Sequence, residues 1–111
     1  MIRAIKVPIG DNPKVINIEP TLQSFQDEIG STNIELYFPF DDDAALICNE
    51  LGVTGTLEPN RIVFDQNDES EDLITGDFLI VNTNLENEDN SFCDLDELQI
   101  KKYIIKFSVT N

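Results

Sequence analysis

Histidine is absent from these 111 residues. Ser-His-Asp and Cys-His nucleophilic catalysis are therefore excluded, because both need an imidazole to carry the proton. Cysteine is nearly as scarce, with only Cys48 and Cys93 and no CxxC spacing. Two thiols cannot fill a structural zinc site, and they fall short of the dense framework that staples small secreted scaffolds. Both are expected to be free, with Cys48 serving as a small core side chain inside an apolar run. The segment Gly52-Val53-Thr54-Gly55 lacks the Lys and Ser/Thr that would complete a phosphate-binding loop. No apolar run approaches the roughly 20 residues of a membrane span. The start, Met1 to Val7, is too short and too interrupted by Arg3 and Lys6 for a signal peptide, so a cytoplasmic location is expected.

Basic residues are the next shortage. Seven Lys and Arg face 22 Asp and Glu, for a net charge of −15. The imbalance is local: residues 1–40 carry −2, residues 41–100 carry −16 with Arg61 as their single base, and residues 101–111 carry +3. Affinity for a phosphate backbone comes from Lys and Arg displacing counterions, so direct binding to nucleic acid or to an anionic membrane is not expected. An acidic surface does attract a basic site on another protein.

Length and a 41% hydrophobic content are those of one packed domain spanning residues 1–111. Ile2–Val7 and Lys14–Glu19 are predicted to form a hairpin around the turn residues Pro8 to Pro13. Thr21 is placed to cap a helix in which Leu22, Phe25 and Ile29 recur, with Gly30 as its stop. Asn33–Phe38 alternates, placing Ile34, Leu36 and Phe38 on the face expected to be buried. Ala44–Cys48 and Arg61–Phe64 are further strands, Asp65–Asp72 and Asn84–Ser91 acidic loops, and Ile74–Asn82 contains the most apolar and central strand. Asp94, with Glu97 three residues on, is predicted to cap a last helix whose Ile100, Tyr103, Ile104 and Phe107 form one stripe. The fold class expected is α+β: a small antiparallel or mixed sheet with about two helices packed on one face.

Several of these segments match a family pattern. They are Ile2-Arg3-Ala4-Ile5, Val15-Ile16-Asn17-Ile18-Glu19, the Leu22–Gly30 helix, Leu46-Ile47-Cys48-Asn49-Glu50 followed by Gly52, Leu57-Glu58-Pro59-Asn60-Arg61, Ile74–Val81 and Leu95–Ile100. Together they resemble a family of small domains of unknown function carried mainly by phages, plasmids and other mobile elements of bacteria. The resemblance implies a mobile-element setting inside a bacterial host cell and no established activity.

Neither a catalytic constellation, a cofactor motif nor a metal site is assigned. A calcium-type register from Glu86 places Glu86, Glu88, Asn90 and Glu97 at ligand positions, but its sixth position is Ser91 where glycine is needed. The function expected is non-catalytic: inhibition of a host defence or nucleic-acid-processing protein whose basic nucleic-acid-binding site is occupied by a DNA-like acidic surface. The contact residues would be Asp41, Asp42, Asp43, Asp65, Asp68, Glu69, Glu71, Asp72, Glu86, Glu88 and Asp89. A plain solubilising role for these acids competes with that reading. One alternative is a domain that sequesters a small molecule such as a nucleotide signal, held at Asn60 and Arg61, since a guanidinium fork suits phosphate. Arg61 paired internally with Asp65 or Glu58 is the plainer expectation there. Another alternative is a structural or regulatory accessory whose Ile100–Phe107 helix pairs with another chain. A homo-oligomer is left open.

Overall fold

Two segments, Ala44–Cys48 and Phe78–Val81, are apolar at every position. A strand alternates its side chains between two faces, so such runs demand cover above and below. The computed structural model, which describes residues 1–51, 57–84 and 91–109, supplies both covers. Its elements are β1 (Ile2–Val7), β2 (Lys14–Ile18), α1 (Leu22–Ile29), β3 (Ile34–Tyr37) and β4 (Ala44–Asn49). There follow β5 (Pro59–Asp65), β6 (Ser70–Thr75), β7 (Phe78–Thr83), β8 (Phe92–Cys93) and α2 (Glu97–Lys106). The main sheet runs β2-β1-β7-β4-β3 with β8 beside β7, and β5–β6 forms a separate hairpin. Every pairing is antiparallel. β7 occupies the middle, as its composition predicted.

The two helices do not share a face. Ile5, Val7, Leu46, Cys48, Phe78 and Ile80 point to one side, where Tyr103 of α2, the capping Phe107 and Val63 and Ile74 of the β5–β6 hairpin cover them. Ala4, Ala45, Ile47, Leu79 and Val81 point to the other, under Phe25 of α1. Phe25 meets the ring of Phe92 edge to face at 5.0 Å. The expected single-sided arrangement is thus replaced by a three-layer one, with the sheet between α1 and a layer made of α2 and the hairpin. The α2 stripe is spent within the chain: Tyr103 and Phe107 are buried, and Ile100 and Ile104 pack beside them.

Local signals fared unevenly. Thr21 does cap α1, its hydroxyl accepting the Ser24 N–H at 3.2 Å, and Gly30 ends the helix with φ +81°. The cap of α2 is shifted by two residues from Asp94. Asp96 accepts the Gln99 N–H at 2.7 Å while the Gln99 side chain accepts the Asp96 N–H at 2.9 Å. Burial of Leu95 beneath β1 sets this shift, since its N–H bonds to the Arg3 carbonyl and Asp94 accepts the Arg3 N–H at 2.7 Å. The expected loop Asp65–Asp72 is half strand: β5 runs to Asp65 and β6 begins at Ser70, leaving a turn at Gln66–Glu69. Ile74–Asn82 is two strands broken at Gly76, whose φ of +79° favours glycine. On β3, an edge strand, Ile34 packs against the core as expected, but Tyr37 also packs inward, and Leu36 and the following Phe38 are exposed. Among the described residues no helix is long and apolar enough to cross a membrane.

Candidate functional site

Asn60 and Arg61 follow Pro59 in the first part of β5, where the hairpin meets the ends of other elements. The Asn60 amide donates to the carbonyls of Val7 and Gly76, both at 2.9 Å. Its oxygen accepts from Arg61 Nη1 at 2.6 Å. The rest of the guanidinium is directed at backbone: Nε and Nη2 reach the Phe107 carbonyl at 3.1 and 2.9 Å, Nη2 reaches the Asp11 carbonyl at 2.6 Å, and Nη1 reaches Asn60 O at 3.3 Å. Neither Asp65 nor Glu58 pairs with it. Arg61 instead closes the C-terminal end of α2, where the open carbonyls and the helix dipole favour a cation. The donors that would grip a phosphate are already turned to main-chain oxygens and to the Asn60 side chain. Two surface depressions of about 280 and 270 Å³ flank α1, lined by residues such as Gln26 and Thr32 or Asn17 and Glu28. Neither depression reaches Asn60 or Arg61.

The Asp41-Asp42-Asp43 turn is likewise drawn into the fold. Lys102 Nζ lies 2.7 Å from Asp41 and 3.2 Å from Asp42, and Asp42 also accepts from the Tyr103 hydroxyl at 2.7 Å and from the Ala44 N–H at 2.8 Å. Burial alone would raise the Asp42 carboxyl, but these three donors outweigh it and hold the group below its ordinary value. The Lys102 ammonium lowers Asp41 in the same way, first through its hydrogen bond. Asp43 contributes its main-chain carbonyl to Thr83 and leaves its side chain exposed.

Carboxylates without such partners collect on the β5–β6 hairpin. Asp65 and Asp68 cap the turn, accepting from the Asn67 and Ser70 N–H groups at 2.8 and 3.0 Å. Asp68, Glu69 and Glu71 are exposed, and Asp65 and Asp72 half-buried. Among the described residues no Lys or Arg lies within 4.0 Å of any of these five carboxylates. Glu86, Glu88 and Asp89 lie outside the described residues.

The hairpin also shows what the sequence did not mark. Ile62 stands opposite Leu73, and Phe64 opposite Glu71, on the side facing away from the core. Val63 and Ile74 face inward. Ile62, Phe64 and Leu73 are 65%, 38% and 44% exposed. The triplet Ile62-Val63-Phe64 carries no alternation, so only the register of the turn reveals which members face water.

Cys48 is buried and Cys93 half-buried, and both are free thiols. Burial pushes the Cys48 thiol up to about 11, away from the thiolate form a nucleophile requires. The Tyr37 hydroxyl is buried with no hydrogen-bond partner among the described residues. An unmet buried hydroxyl costs about 1–3 kcal/mol, so Tyr37→Phe is expected to stabilise the protein by about 1 kcal/mol in urea denaturation. A clear loss of stability would show that the hydroxyl has a partner.

One family model spans nearly the whole chain, matching residues 2–108. The protein belongs to the DUF3846 family. That family is a domain of unknown function, and its match confirms the small-domain resemblance seen in the strand and turn segments. No curated protein and no solved structure matches this DUF3846 chain.

Proposed function

We propose that this DUF3846 protein is a non-catalytic binding protein of a phage or other mobile element, acting in the cytoplasm of its bacterial host. Its acidic β5–β6 hairpin occupies the basic nucleic-acid-binding site of a host defence or DNA-processing protein. One observation carries this reading: Asp65, Asp68, Glu69, Glu71 and Asp72 gather on a single hairpin, Asp68, Glu69 and Glu71 exposed, with no cation in salt-bridge range among the described residues. Unneutralised carboxylates on one hairpin present the charge that a phosphate-binding site selects, and they speed encounter through long-range attraction. The first acidic turn contributes less than its composition suggests, because Lys102 neutralises part of it.

The test is an affinity capture from host lysate at low and high salt, with added duplex DNA as competitor. A nucleic-acid-binding protein is expected to be retained at low salt and released by salt or DNA, since exposed charges are screened beyond about 10 Å at 0.1 M. Charge reversal at Asp68, Glu69 and Glu71 to lysine should abolish its capture. Retention unaffected by salt, DNA and charge reversal would sink the reading.

A further inference from the structure

Glu71 and the turn acids of the hairpin lie at one end of an apolar surface, and charge mimicry alone gives that surface no role. Ile62, Phe64 and Leu73 project from the same side of two paired strands, with Glu71 beside Phe64 and the turn acids Asp68 and Glu69 beyond. Two adjacent strands present a strip about 10 Å wide, which is the diameter of an α-helix. We propose that this outward face seats a cationic amphipathic helix of the partner protein, with its apolar side on Ile62, Phe64 and Leu73 and its Lys or Arg side chains toward Asp68, Glu69 and Glu71. The proposal rests on the hairpin being the partner-binding element and specifies what that element recognises.

Charge decides the occupant. Residues 58–75 hold six acids and one base, and that base, Arg61, is turned to main-chain carbonyls. A second copy of this chain would bring another −15 against the same surface. A uniformly basic groove would answer the carboxylates yet leave three large apolar side chains in water. A helix with one basic and one apolar side meets both, in the way amphipathic helices fill apolar grooves elsewhere.

The intact protein would be titrated with three synthetic peptides: an amphipathic Leu/Lys helix, a scrambled peptide of the same composition, and an oligolysine of equal charge. Tighter binding of the amphipathic helix by about tenfold or more is expected, a difference of about 1.4 kcal/mol. Backbone NMR shifts should change along residues 62–73. The variant Ile62→Thr/Phe64→Thr/Leu73→Thr should lose the preference and still bind oligolysine, with Ile62→Thr alone as the milder variant. Equal affinity for all three peptides would overturn the helix-docking proposal and leave the acidic reading standing. Failure of every cationic peptide to bind would remove both.

Discussion

Replacing Arg61 by alanine is expected to cost about 3 kcal/mol of stability, the scale of several charge-assisted hydrogen bonds lost with their acceptors left behind. The guanidinium joins Phe107 at the end of α2, Asp11 in the loop between β1 and β2, and Asn60 at the start of β5. Its removal takes a cation from the helix end, where Lys106 remains, and leaves carbonyl oxygens short of donors. The melting temperature should fall by on the order of 10 °C. Arg61→Lys should rescue little, because an ammonium cannot reproduce a planar fork that meets several oxygens at once. Asn60→Ala should also destabilise, and the double variant should lose less than the two single losses combined, since the residues share a bond at 2.6 Å. A loss under about 1 kcal/mol for Arg61→Ala would mean that water replaces the clamp.

The second large effect belongs to Asp42. It joins the turn before β4 to α2 through the Tyr103 hydroxyl and Lys102, so Asp42→Asn removes the charge while keeping the shape. A loss of about 2 kcal/mol at neutral pH is expected, as for hydrogen bonds to a charged group. The pH dependence follows from the direction of the shift. The folded carboxyl lies below its ordinary 3.8, so its stabilisation is present above that value and is lost as pH falls through the lower folded one. Stability curves of the native and Asp42→Asn proteins should therefore stay apart from pH 5 to 8 and converge below about pH 4. A gap unchanged by acid would show that the charge of Asp42 plays no part.

The sheet was legible because its signals are local and strong. The apolar run of β7 marked it as central, that of β4 marked a strand, and the Ile100–Phe107 spacing gave α2 its buried stripe. Those same runs also called for cover on two sides, and they carry no mark of which element supplies which cover. Hence the helices could be expected on one face when they lie on two. The Asp94 prediction failed by two residues because Leu95 is held under β1, a contact between the far ends of the sequence. Arg61 stands out as the single base of the acidic stretch, but its distant partners are carbonyl oxygens, and a carbonyl leaves no trace in residue identity. The acidic content of the hairpin could be counted directly. Its apolar outer side could not, because that depends on a turn confined to Gln66–Glu69.

The position of β1 bears on how the chain folds in time. β1 lies between β2, its immediate successor, and β7, where Ile5 stands opposite Ile80. During synthesis the β1–β2 hairpin can form early, but one side of β1 must wait for most of the chain before its partner exists. Ala4, Ile5 and Val7 remain without their final cover through that interval. Folding is therefore expected in the slow class set by distant pairings, milliseconds to seconds rather than microseconds. Ribosome-bound chains ending before β7 should be the species most prone to aggregate.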